Sequence, residues 1–119
     1  MADHIHTFEP GASITCIAGA DVIGGRLVEI TGPREVSHAA ALSVKVFGAA
    51  ARDAKDGEDV LVLRGGVQKL VASGAITAGT RIKPAAGGKV QAVANGETGN
   101  GLAITTTTAA DQLVQVALD

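Results

Sequence analysis

The sequence predicts an all-β protein, a small single-domain barrel or sandwich, and three observations carry that prediction. Short runs rich in Val, Ile, Leu and Thr recur between Gly-rich punctuation. The 16 Gly residues work against long helices. Two stretches also repeat one another. "DVIGGRLVEITGPREV" and "ITAGTRIKPAAGGKV" superimpose at an offset of 55 (81 − 26), with Gly79 on Gly24, Arg81 on Arg26, Ile82 on Leu27, Gly87 on Gly32 and Lys89 on Arg34. A second pair, "GAAARDAKDGEDVLVLRG" and "GLAITTTTAADQLVQVAL", sets Gly101 on Gly48, an offset of 53 (101 − 48), and brings Leu113 onto Val60 and Val116 onto Leu63. This reads as a duplicated β unit of about fifty residues. One unit is too small to bury its own apolar face, so the two are expected to close a single pseudo-symmetric barrel.

Residues 1–11, "MADHIHTFEPG", are polar and irregular and end at Pro10-Gly11, which predicts an extended arm ahead of a β domain over 12–119. Residues 13–17, "SITCI", are β-branched. Residues 26–31, "RLVEIT", start after Gly24-Gly25 and stop at Gly32-Pro33. "SVKVFG" (43–48) alternates, with Val44 and Val46 on one side and Lys45 and Phe47 on the other. "DVLVLRG" (59–65) is apolar on both faces, as a covered strand is, and "GVQKLV" (66–71) follows across Gly65-Gly66. "KVQAV" (89–93) ends at Asn95-Gly96, a tight-turn dipeptide. "GLAITTTT" (101–108) has the Thr content of a half-exposed strand, and "QLVQVAL" (112–118) alternates. "SHAAAL" and "AAARDAKDG" allow at most one or two short helical turns, with Gly57 available as a C-cap.

Composition narrows the function. Aromatic residues are 2% of the 119, Phe8 and Phe47, so the core must be built from Val, Leu, Ile and Ala. A thin core favours help from neighbouring molecules. The formal charge of −2 has no basic run behind it, and stacking aromatics are missing, which argues against nucleic acid. Cys16 stands alone among Ile and Ala and reads as a small buried apolar residue. No apolar run reaches the length of a membrane span, and the first eleven residues lack the apolar stretch of a signal peptide.

Chemistry is sparse. His4 and His6 flank Ile5 and would point the same way in a strand, but only Asp3 is near enough to join them on a metal, so they read as solvated. His38 has no Ser or Cys partner that the sequence can place. "DAKDGED" (53–59) crowds four acids without calcium-loop spacing. "PAAGGKV" lacks the rest of a phosphate-binding loop. Lys45 reads as strand interior rather than a prosthetic-group lysine, and one "TTTT" run is not a hydroxyl ladder. The expectation is a non-enzymatic protein without cofactor or metal.

The segments "F-x-P-G-x-x-I-T", "G-G-R-L-V-E-I-T-G", "V-F-G-A-A-x-x-D-A-x-x-G-E-D-V-x-V-L-R-G-G-V" and "A-I-T-A-G-T-R-I-K-P-A-A-G-G-K-V" resemble the small capsid decoration, or cement, proteins of tailed bacteriophages. The resemblance runs from Phe8 to Leu118 and departs from the family at "LAITTTT", where an Ala-rich stretch is more usual. It implies a compact β protein that binds the outside of an icosahedral head as a homotrimer, at local threefold axes between major capsid subunits. It implies no activity and no cofactor. Made in the bacterial cytoplasm, such a protein would end in the virion and touch neither nucleic acid nor membrane. Within this frame the arm is expected to contact the capsid through Ile5 and Phe8 as apolar anchors and His6 and Glu9 as polar contacts, being the bulky groups of a small-residue lead-in. Three other readings stay open: a tail or head-fibre-base component, a β-barrel module for a small ligand, and a carrier modified at Lys45 or Lys89.

Overall fold

The computed structural model describes residues 13–94 and 99–119. The arm expected over 1–11, with Ile5, His6, Phe8 and Glu9, lies outside them. The described residues form ten strands and one 3-10 turn at Ala86–Gly88. Strands β1 (Ile14–Ala18), β2 (Leu27–Gly32), β3 (Glu35–His38), β4 (Val46–Ala50) and β5 (Asp59–Leu63) close a barrel in the order β1-β3-β2-β4-β5. Strands β6 (Val67–Val71), β7 (Arg81–Pro84), β8 (Val90–Ala92), β9 (Gly101–Ala103) and β10 (Leu113–Leu118) form a second sheet, ordered β6-β10-β9-β7-β8. A parallel bridge from Ala72 to Val90 joins the two ends of this sheet. The all-β expectation is met. The expectation of one barrel shared by both halves is corrected, because the first unit closes on itself.

The duplication is visible bond by bond. Cys16 pairs with Val60, and Leu70 with Val114. Val28 pairs with His38 and Gly48, and Ile82 with Ala92 and Gly101. The parallel contact of Ala18 with Val36 recurs as that of Ala72 with Val90. The Val22 amide donates to the Ala54 carbonyl as the Ile76 amide does to that of Thr107, at 2.7 and 3.2 Å. Equivalent residues are therefore 54 apart (82 − 28) over the first three strands of each unit, not 55. The matching arginines Arg26 and Arg81 drew the sequence alignment one residue off. The turn sets the true register: Gly25 and Gly79 both hold positive φ, at 79° and 90°. The offset of 53 stands for Gly48 and Gly101, but β5 and β10 return to 54, so that Val60 matches Val114 and Val62 matches Val116, where the repeat suggested Leu113 on Val60 and Val116 on Leu63. An added Cβ would overlap the Leu63 carbonyl oxygen at Gly48 and lie 2.7 Å from that of Ala117 at Gly101. Close strand approach requires glycine at both.

Two apolar clusters fill the molecule. Ile14, Cys16, Val28, Val36, Val60 and Val62 lie inside the first barrel, so Cys16 is a buried apolar residue as expected. Leu70, Ile76, Ile82, Val90, Val114 and Val116 fill the second unit, and Leu27, Ala39 and Ala49 of the first unit complete that cluster from outside the first barrel. The outer face of β2 and β4 thus docks against the neighbouring unit. At the junction Gly88 has φ 76°, and a Cβ there would stand 2.5 Å from the Leu27 carbonyl oxygen. Its equivalent, Arg34, has a similar φ of 56° and donates through its guanidinium to the Thr15 carbonyl at 2.7 Å.

Some elements differ from expectation. Residues 35–38 form β3, where no strand was expected after the turn at Gly32-Pro33 and "SHAAAL" allowed a short helical turn. The strand expected at 43–48 starts at Val46, so Val44 is not on its inner face but 98% exposed. Gly57 supports a turn at φ 87° rather than a helix C-cap. The strand expected over 101–108 ends at Ala103 because the Thr hydroxyls take over the backbone pairing. Thr105, Thr106 and Thr107 accept from the amides of Gln115, Ala78 and Ile76 at 2.9, 3.0 and 3.0 Å. Asp53, equivalent to Thr106, accepts from the Gly24 amide at 2.8 Å in the first unit.

Candidate interaction surface

Two acids of "DAKDGED" hold turns, Asp53 accepting from the Gly24 amide and Glu58 from the Lys55 amide, each at 2.8 Å, and the Asp56 amide donates to Asp21. No cluster of three or more metal-ligating side chains occurs among the described residues. No helix among them is long and apolar enough to cross a membrane. His38 Nε2 accepts from the Ile23 amide at 2.8 Å, and burial followed by the nearby Arg26 charge holds its pKa below 6.5. It is a neutral structural ring at the junction, in keeping with the sequence reading.

The chemistry that remains is exposed apolar surface: besides Ile17 and Ile23 on the first unit, it is concentrated in two places. One is the loop between β3 and β4. A buried carboxylate organises it. Glu29 accepts from the Ala40 amide at 2.8 Å and the Ser43 hydroxyl at 3.2 Å, and pairs with Lys45 at 3.6 Å. The Ala40 bond is the main reason its pKa falls below 4.5, working against burial. The loop is also tied to the second unit, where the Leu42 amide donates to the Pro84 carbonyl at 3.3 Å. So held, it turns Leu42 and Val44 outward, with Leu42 at φ 62°, a strained conformation for a leucine. Beside them lies an open cleft of about 410 Å³ lined by Leu42, Val44, Lys83, Pro84 and Asn100. The sequence assigned Val44 to a strand and Glu29 to no role. Only the acid inside an otherwise apolar strand run marked Glu29 as a buried anchor.

The second place is the outer face of the second unit. Val67, Leu102, Ile104 and Leu113 are all exposed there. By register Val67, Ala117 and Leu102 form one row across β6, β10 and β9, Lys69, Gln115 and Ile104 the next, and Leu113 lies beside Val71. Exposed apolar groups gathered on one face mark an interaction surface.

The sequence matches the phage cement protein family over residues 7–118. The chain belongs to that family. It is a structural protein of the virion, associated with the phage capsid. The fold is also that of a solved structure, the head fiber gp8.5 N base of bacteriophage phi29. The TM-score is 0.75 at 23% identity, over 91% of this chain and 93% of that one. No curated protein matches the sequence.

Proposed function

We propose that this cement protein is a non-enzymatic bolt on the outside of an icosahedral phage head, bound as a trimer at local threefold axes between major capsid subunits. The observation that carries the reading is the family match across residues 7–118. The exposed apolar loop at Leu42 and Val44 supports it, because it is held rigid and needs little ordering on contact. In this reading the loop meets the shell together with the arm, whose Ile5 and Phe8 are apolar anchors and His6 and Glu9 polar contacts. Modest affinity per copy suffices, since each trimer engages several subunits at once.

The test is co-sedimentation with decoration-free heads of the host phage, expanded and unexpanded. Saturable binding to expanded heads alone is the expected result, and binding to neither would end the cement reading. Deleting residues 2–10 is expected to abolish binding without changing the melting of the β domain. Undiminished binding by that truncation would remove the arm from the interface. The likeness in fold to a head-fiber base keeps a second reading in play, a pedestal for a fibre. Cryo-electron microscopy of virions separates them, because a bolt ends at its own density and a pedestal carries a further protein.

A further inference from the structure

We infer that Leu42 is the side chain by which the loop between β3 and β4 grips the shell, and that its partner there is an apolar pocket on a major capsid subunit. The inference rests on the cement reading above and names the residue that carries the loop's contact.

Backbone conformation singles this residue out. Glycines apart, three described residues hold positive φ: Arg34 at 56°, Leu42 at 62° and Asp111 at 66°. An L-residue is strained there because its Cβ crowds the following carbonyl, and short polar side chains such as Asn and Asp tolerate the region best. A large side chain kept in such a conformation points to a use for its atoms. Arg34 has one within the chain, since its guanidinium donates to the Thr15 carbonyl at 2.7 Å and ties the turn between β2 and β3 to β1. Asp111 accepts from the Lys89 ammonium at 2.6 Å. Leu42 can make no polar bond through its side chain, belongs to neither apolar cluster and is 60% exposed. The fold uses only its backbone, whose amide donates to the Pro84 carbonyl, and that bond does not require a leucine. The use for the side chain therefore lies outside the chain.

The surroundings suit an apolar anchor. Glu29 holds the loop through Ala40 and Ser43, and Pro84 holds it from the second unit, so Leu42 is presented without ordering on contact. Val44 stands two residues on and widens the apolar contact. Lys83 is the one charged residue among those lining the cleft beside them. An apolar projection in weakly charged surroundings fits an apolar recess in its partner. The two effects of the leucine then have opposite signs: it strains the free protein, and its burial holds the bound one.

The test is Leu42→Asn, with Leu42→Met beside it. Urea unfolding reads stability, co-sedimentation with expanded heads reads binding, and sedimentation equilibrium reads self-association. Leu42→Asn is expected to leave the unfolding midpoint unchanged or raised while weakening head binding by about tenfold or more. Leu42→Met keeps an apolar side chain on the same backbone and should retain most of the binding. Undiminished binding by Leu42→Asn would overturn the inference, and so would a lowered midpoint, which would show that the leucine serves the fold. Equal loss by both variants would overturn it as well, because an apolar anchor survives in Leu42→Met. Altered self-association with head binding intact would assign Leu42 to a second copy and overturn the shell contact. Failure of the wild type to bind expanded heads is a separate result, which ends the cement reading and this inference with it.

Discussion

Replacing Glu29 by Ala should destabilise the protein by about 2–3 kcal/mol. The largest part is the Ala40 amide, which loses its 2.8 Å acceptor in a part-buried position. Such an orphan costs about 1–3 kcal/mol. The Ser43 hydroxyl and the Lys45 ammonium can turn to water, and the 3.6 Å ion pair involves a lysine side chain that is 58% exposed, so screening leaves it at about 0.5 kcal/mol or less. Glu29→Gln keeps a carbonyl oxygen for Ala40 and should cost about 1 kcal/mol. Urea unfolding at neutral pH measures both. The pH dependence has a definite sign. The folded carboxyl titrates below its ordinary 4.5, so its contribution is full above that value and is lost as pH falls through the folded pKa. The gap between wild type and Glu29→Gln should therefore close in acid. A loss under about 0.5 kcal/mol for Glu29→Ala, or identical losses for Ala and Gln at every pH, would show that the carboxylate does not hold the loop. A positive result carries to function: if Leu42 and Val44 meet the shell, Glu29→Ala should weaken head binding although it touches no partner.

Three more expectations follow from paired features. Gly48→Ala and Gly101→Ala should each lose about 1–3 kcal/mol in chemical denaturation, Gly48 more because its clash is closer, and a tolerated Gly48→Ala would refute the close strand approach. Thr107→Val removes the donor to the Gly74 carbonyl and one of the two acceptors of the Ile76 amide, which keeps the Thr107 carbonyl at 3.2 Å, and should cost about 1 kcal/mol while Thr107→Ser costs less; equal losses would assign the effect to packing. His38 should titrate below 6.5 by nuclear magnetic resonance; stability is then full above 6.5 and falls as pH drops through the folded value, a slope that His38→Gln should flatten and that an ordinary titration would contradict.

Much of the fold was legible because turns and alternation are local. Residues 59–63 and 113–118 alternate inward valines with outward residues, and both became strands. The duplication was legible too, but its register was not. Identity favoured Arg26 on Arg81, whereas hydrogen bonding follows Gly25 and Gly79, whose backbone conformation no alignment of letters weighs. β3 was missed because "EVSH" is short and its parallel pairing to β1 is non-local. The Thr run misled for a related reason. Its hydroxyls bond to amides about ten to thirty residues away, and sequence alone reads them as strand propensity. The exposed loop was hidden behind a false strand, since Val44 fits an alternating pattern until Glu29 captures the loop from another strand.

The two units separate what the fold requires from what the protein adds to it. Where they agree, the reason is mechanical: glycines at close strand approaches, turn residues with positive φ, side-chain acceptors at Asp53 and Thr106, and valines inside. Where they differ, the scaffold is indifferent, and the difference points to a partner. Gly88, where the first unit has Arg34, marks the contact inside the chain, because a Cβ there would stand 2.5 Å from the Leu27 carbonyl oxygen. The loop between β3 and β4 of the first unit presents Leu42 and Val44. Exposed positions that the strand pairing leaves free are where such a protein can serve a partner, and the loop at Leu42 and Val44 is the clearest of them. That reading predicts that Val44→Ser weakens head binding in co-sedimentation while changing stability by less than about 0.5 kcal/mol, since Val44 is 98% exposed, and undiminished binding would take the loop out of the contact.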